Sequence, residues 1–130
     1  MSYYFSKSVT CSFDQAIENV TGLLAEQGFG VLTEIDVQAT LKKKLDVDFY
    51  KYRILGACNP NFAYQALQKE DKIGTMLPCN VIVQQKVENG PVEVTAVDPV
   101  ASMASVKNDG LGQVAQEVPS RLQLVIEKLK

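Results

Sequence analysis

The sequence contains no histidine among its 130 residues. Without histidine, the chain lacks the means for Ser-His-Asp and Cys-His mechanisms and for histidine-based metal sites. It also lacks the side chain that most often moves protons near neutral pH. Any acid–base step would therefore fall to carboxylates, lysines, tyrosines or thiols.

Cysteine is scarce, and its three residues are an odd number: Cys11, Cys58 and Cys79. Such a set is poor material for the disulfide framework of a secreted domain, so we expect reduced thiols. The N-terminus lacks the charged start and apolar block of a signal peptide. No apolar run is long enough to cross a bilayer. We therefore expect a cytoplasmic protein that does not use a membrane as a partner.

The sequence also has no excess of positive charge. The net charge is -2, and the only basic tract is Lys42-Lys43-Lys44. Nucleic-acid-binding proteins need a basic footprint, so we expect no nucleic-acid partner. The composition of 46% hydrophobic and 22% charged residues is ordinary for a globular protein. The length predicts a single domain over residues 1–130.

Hydrophobic periodicity predicts five strands, at residues 3–9, 29–37, 49–57, 77–86 and 91–97. Helices are predicted after residue 12, after Asp36, from Pro60 to about Gly74 and over residues 112–129, with a kink or junction at Pro119. Glu88-Asn89-Gly90 predicts a hairpin turn between the last two strands. The order of elements predicts an α+β two-layer sandwich, with helices packed on one face of a mostly antiparallel five-stranded sheet.

Two local patterns within these elements predict further details of the structure. Ser12 and Gln15 form a capping-box pattern at the start of the first long helix. Strict alternation in the second strand places one set of side chains on a single face: Phe29, Val31, Thr33, Ile35 and Val37.

A Cys-Asn pair occurs twice, once in Ala57-Cys58-Asn59-Pro60 and once in Leu77-Pro78-Cys79-Asn80. Cys58 falls at the end of a strand and directly before a helix, where Asn59 is the expected cap and Pro60 the first helical residue. Cys79 begins the strand after that helix. We expect these two strands to be close enough to bring Cys58 and Cys79 together.

The position of Cys58 permits two interpretations. Backbone N–H groups at a helix start favour a reactive thiol, which makes Cys58 a candidate catalytic residue with Cys79 as its partner. Free cysteine is among the most buried residue types and usually acts as a small hydrophobe, and Asn59 is fully explained as a helix cap. In the functional interpretation, Asn59 and Asn80 add ligand-binding amides to the same corner.

A second candidate cluster consists of Glu34, Asp36 and Lys44. Glu34 and Asp36 are two residues apart on a strand and so share a face, where paired carboxylates can hold a cation. The alternative is a solvated sheet face, with Asp36 as the cap of a short helix.

These segments together resemble a bacterial and archaeal family, domain of unknown function 302. The resemblance rests on Leu32–Val37, on Ala39-Thr40-Leu41 with Lys44, and on the two Cys-Asn segments. It implies a compact α+β domain, often a homodimer, without an established reaction. The residues that match its shared motif are Glu34, Asp36, Lys44, Cys58, Asn59, Pro60, Pro78, Cys79 and Asn80.

Three functions fit the sequence, and none names a cofactor. The first is a binding module for a small polar or anionic ligand, held by Asn59, Asn80 and Lys44. The second is a thiol-dependent redox protein or enzyme that uses Cys58 and Cys79. The third is metal binding through the paired thiols, completed by carboxylates or by a second subunit. It ranks last because two thiolates without histidine make only half of a tetrahedral zinc site.

Overall fold

A computed structural model describes residues 2–130 as alternating strands and helices. The strands are β1 (Tyr4–Val9), β2 (Gly30–Asp36), β3 (Lys51–Cys58), β4 (Cys79–Gln85) and β5 (Val92–Val97). The α-helices are α1 (Phe13–Glu26), α2 (Val37–Leu45), α3 (Pro60–Lys69), α4 (Pro99–Ser102) and α5 (Gly112–Lys128). Two 3₁₀ helices, Asp71–Met76 and Asp109–Leu111, complete the described chain.

The five strands form one sheet in the order β1-β5-β4-β3-β2, and every neighbouring pair is antiparallel. Helices α1 and α5 pack against each other and against the sheet. The core lies between them and the inward side chains of the strands, which include Leu55, Val81, Val83, Val94 and Ala96. The predicted α+β sandwich with a mostly antiparallel five-stranded sheet is confirmed.

Side-chain caps begin the three helices that the sequence marks most clearly. Ser12 Oγ accepts a hydrogen bond from the Gln15 N–H at 3.1 Å, and Asp36 Oδ1 accepts one from the Ala39 N–H at 2.9 Å. Asn59 caps α3 in the same way. The capping box at α1 is only half formed, because the Gln15 side chain donates to Asn19 rather than turning back to Ser12.

The predicted single face of the second strand is wrong, because β2 contains a bulge. Val31 pairs with Ala57 and Thr33 pairs with Gly56, which leaves Leu32 as the extra residue. A bulge of this kind shifts the alternation by one residue. Val31 therefore packs against the core with Phe29, whereas Thr33 and Ile35 lie on the opposite face of the sheet.

Two helix predictions also need correction. Helix α3 ends at Lys69 rather than near Gly74. Helix α5 is one continuous element with Pro119 inside it, not a junction of two helices. Val118, Leu122 and Val125 are buried on both sides of the proline, so tertiary packing holds the helix together across it.

Gly56 lets β2, β3 and the chain before β4 approach one another closely. A Cβ at this position would overlap Thr33 Oγ1 and lie 2.8 Å from Pro78 Cγ, which belongs to a rigid ring. Gly22, by contrast, lies within α1 with nothing within 4 Å of a Cβ.

We predict that Gly56→Ala lowers the free energy of unfolding by about 1–3 kcal/mol, because Thr33 and the Pro78 ring must shift. Gly22→Ala is the matched control and should raise it by about 0.5–1 kcal/mol, as expected for alanine in a helix. Urea denaturation of both variants measures the two changes. Equal effects of the two substitutions would contradict the close-approach role of Gly56.

Candidate functional site

The two Cys-Asn segments, Ala57–Pro60 and Leu77–Asn80, lie at the same end of the sheet. Strands β3 and β4 are direct neighbours, and Ala57, next to Cys58, pairs with Cys79. The expectation that these strands are neighbours is therefore confirmed, and their register places both cysteines at the same end of the sheet. Cys58 is the last residue of β3, where it pairs with Gly30, and Cys79 is the first residue of β4. Both are free cysteines.

The environments of the two thiols differ. Cys79 is buried, with 7% of its surface exposed, whereas Cys58 is half-buried. Burial raises the pKa of the Cys79 thiol from the ordinary value of 9.0 to about 11, with a smaller contribution from the neighbouring Cys58 thiol. Cys79 is therefore a neutral thiol at physiological pH and a weak nucleophile.

Asn59 lies beside the thiols, and its amide is engaged within the protein. Its Oδ1 atom accepts a hydrogen bond from the Phe62 N–H at 3.4 Å. Its Nδ2 atom donates to the carbonyl oxygen of Gln27, also at 3.4 Å. Because both ends of this buried amide have partners, Asn59 connects the start of α3 to the end of α1. The geometry assigns it a scaffold role next to the cavity.

A cavity of about 310 Å³, partly open to solvent, lies next to Cys58, Asn59 and Cys79. Its walls come from the end of the sheet that carries Cys58 and Cys79 (the thiol end), from α3, from the segment before β4, from the chain between β5 and α5, and from α5 itself. Most of the lining is apolar and includes Phe29, Phe62, Ala66, Ile73, Leu77, Met103, Val106, Leu111, Val114 and Val118. This is the shape and lining of a small-molecule site.

The buried apolar side chains fall into two clusters, and the cavity borders both. The larger cluster fills the space between the sheet, α1 and α5. The smaller one consists of Ala66, Ile73 and Leu111, with partly buried neighbours such as Met103 and Val106. Residues of both clusters line the cavity, so it lies where the two parts of the interior meet.

The remaining predicted site residues lie elsewhere. Glu34 and Asp36 both form ion pairs with Arg53, through Nη1 for Glu34 and through Nη2 at 3.5 Å for Asp36. The Arg53 guanidinium also lies 5.8 Å from the centre of the Phe13 ring. The two carboxylates therefore form an ion-pair cluster at the edge of the sheet, and neither lines the cavity.

Lys44 and Asn80 are also apart from the thiols. Lys44 is exposed on α2 and does not line the cavity. Asn80 is the residue after Cys79 in β4, so its side chain leaves the opposite face of the sheet. There it borders a shallow hollow of about 450 Å³ that is also lined by Tyr4 and Tyr52.

Sequence reasoning missed the wall contributed by residues 99–111. None of the site residues predicted from the sequence lies in this segment. Its apolar residues Met103, Val106 and Leu111 recur among small and polar residues, and Asp98-Pro99 marks its start. That spacing suggests partial burial, but only the fold shows which surface the segment covers.

Two observations on the described residues bear on alternative sites. Within residues 2–130, no three His, Cys, Asp or Glu side chains come together in a group suited to a metal ion. Over the same residues, no helix is both long and apolar enough to cross a membrane.

These features define a class of protein, a small α+β domain with an antiparallel sheet and a cavity at the end of its central strands. The sequence matches the family described as Domain of unknown function DUF302 over residues 5–129. The chain therefore belongs to this family, as the resemblance in its motifs implies.

A solved structure has the same fold over its full length. It is described as the crystal structure of uncharacterized conserved protein DUF302 from Bacillus stearothermophilus. The two sequences are 27% identical, each chain is covered completely, and the TM-score is 0.89. No curated protein matches the sequence.

The raised pKa of Cys79 predicts a dependence of stability on pH. Because the folded-state pKa lies above the unfolded value, the unfolded chain loses its proton first as the pH rises. The stability linked to Cys79 should be fully present below pH 9 and fall by about 2–3 kcal/mol as the pH rises to about 11.

Denaturation of the wild type and of Cys79→Ala at several pH values measures this effect. The difference in their free energies of unfolding should shrink across the window from pH 9 to 11. Cys11→Ala controls for the general effect of removing a thiol. A wild-type to Cys79→Ala difference that stays constant over the window would contradict the assignment.

Proposed function

We propose that the protein is a binding module whose ligand is a small, neutral and mostly apolar molecule held in the cavity. The observation that carries this proposal is the cavity of about 310 Å³ at the Cys58–Cys79 corner, with apolar walls drawn from two separate clusters. A molecule in this space would replace poorly packed surface with contacts on both sides, which favours binding.

The character of the walls narrows the class of ligand. Among the described side chains that line the cavity, Asp109 alone carries a charge, and no lysine or arginine is present. A polar or anionic ligand, as expected from the sequence, would find little compensation here for its lost hydration. Asn59 and Asn108 already have partners within the protein, so the polar side chains of the lining that remain for a ligand are Asp109 and the two cysteines.

A thiol-dependent function is the second candidate, and the adjacency of Cys58 and Cys79 at the cavity wall favours it. In this version Cys58 is the reactive thiol, since it is the more exposed of the two. The buried, neutral state of Cys79 weighs against rapid exchange between them. Free thiols also support our proposal that the protein works in the reducing cytoplasm.

The ligand proposal predicts that indole stabilises the protein and that indole-3-carboxylate, which adds a negative charge, does so much less. At ten times its Kd, indole should add about 1.4 kcal/mol, which corresponds to a rise in Tm of about 4–7 °C. Thermal denaturation measures both. Indole should also protect Cys58 from iodoacetamide while leaving Cys11 unprotected.

Filling the cavity should remove this response. Ala66 is buried on α3 and lines the cavity, so Ala66→Leu places extra volume inside it. Ala25→Leu makes the same change at an exposed position of α1 and is the matched control. Equal indole responses in the two variants would show that the ligand binds outside the cavity, and no response in the wild type would overturn the proposal.

We also propose that the protein forms a homodimer. Large apolar side chains are exposed on β2, on α2 and in the loop that follows: Leu32, Ile35, Leu45, Val47 and Phe49. Exposed apolar surface of this kind often marks an interaction site. Light scattering should give a dimer mass, and a monomer mass that persists to high concentration would contradict this.

A further inference from the structure

The outer wall of the cavity is the chain between β5 and α5, residues 99–111, which we name the strap. It supplies Pro99, Val100, Met103, Val106 and Leu111 to the lining of the cavity. The other walls belong to the sheet, to α3, to the segment before β4 and to α5. Most residues of the strap are exposed, so it separates its own side of the cavity from the solvent.

Three apolar side chains of the strap belong to the smaller of the two clusters, and its first turn, α4, packs against α5. Leu111 is buried with Ala66 of α3 and Ile73 of the following 3₁₀ helix, and Met103 and Val106 pack against this group. This cluster is separate from the main core. A small satellite cluster opens at a lower free energy than the core, because opening it exposes less apolar surface.

The backbone hydrogen bonds of the strap are local. Outside regular helices, the N–H groups of Met103, Ala104 and Val106 donate to carbonyls of the strap itself. The start of the strap is fixed by Asp98, whose N–H donates to the Tyr3 carbonyl at 2.8 Å. The strap can therefore move away from the cavity without breaking the hydrogen bonds of the sheet.

One polar side chain ties the strap to the far wall. Asn108 Nδ2 donates to the carbonyl oxygen of Lys69 at 2.7 Å and to Glu70 Oε1 at 3.1 Å. Lys69 is the last residue of α3, so its carbonyl lacks a partner within the helix. Asn108 Oδ1 also accepts from the Gly110 N–H at 2.9 Å, which fixes the orientation of the amide.

We propose that the strap is the lid of the cavity and that the amide of Asn108 is its latch. The lid opens when the two hydrogen bonds to α3 and Glu70 break and the satellite cluster separates, and the ligand enters through the gap. This inference rests on the proposed binding function and adds the route by which the ligand reaches the site.

Hydrogen exchange of the unliganded protein tests the latch without any ligand. Removing the amide in Asn108→Ala should accelerate exchange of strap amides about tenfold, because two hydrogen bonds that hold the closed state are lost. Amides of β4 should keep their wild-type rates. Asn61→Ala, at an exposed position of α3, is the matched control.

A second variant separates the latch from the local turn. Asn108→Asp keeps an acceptor for Gly110 but loses both donors to α3 and Glu70, so it should accelerate strap exchange at least as much as Asn108→Ala. Unchanged strap exchange in both variants would overturn the proposal. Equal acceleration in the strap and in β4 would also overturn it, since that pattern reports loss of global stability.

Stopped-flow binding of indole tests the entry route. The chain contains no tryptophan, so indole fluorescence can be followed without interference. The association rate should rise about tenfold in Asn108→Ala, because the open state is more populated. If indole binds the wild type and Asn108→Ala at the same rate, the lid proposal is wrong and the binding proposal stands. If indole does not bind the wild type, the binding proposal fails and the lid fails with it.

Discussion

The buried amide of Asn59 and the Gln27 carbonyl that accepts from it join three parts of the molecule, and their meeting point shapes the cavity. The amide caps α3 through the Phe62 N–H and reaches the Gln27 carbonyl at the end of α1. Arg121 of α5 donates to the same carbonyl at 3.1 Å, and its guanidinium lies 5.1 Å from the centre of the Phe62 ring. Gly28 leaves room for this arrangement, since a Cβ there would lie 2.9 Å from Asn59 Nδ2. The direction in which α3 leaves the sheet, and hence the cavity wall, depends on this junction.

The position of the cavity follows from how the interior is divided. Helices α1 and α5 fill the space over the centre of the sheet, while α3 and the strap form a second, smaller cluster beyond its thiol end. Side chains of both groups line the gap. A small molecule there would connect the two clusters, and the same division makes the strap easier to open than the core.

The alternation of side chains along a β-strand explains why the two Cys-Asn segments do not form one polar site. Adjacent residues of a strand point to opposite faces, so Cys79 lies at the cavity while Asn80 lies on the open face. Glu34 and Asp36 are held by Arg53 instead of facing the thiols. Of the residues predicted for the site, the fold brings together Cys58, Asn59 and Cys79. The side-chain amide of Asn59 already has its hydrogen-bond partners within the protein.

The sequence by itself determined the features that depend on near neighbours. Ser12, Asp36 and Asn59 were predictable as caps because a cap needs only an N–H two or three residues away. The strands and the fold class also followed from local patterns, whereas the meeting of Cys58 with Cys79 required β3 and β4 to be neighbours in the sheet. Tertiary structure decided the bulge at Leu32, the end of α3 and the continuity of α5 through Pro119. It also decided the cavity and its strap, because these depend on contacts between segments far apart in the chain, which no local pattern encodes.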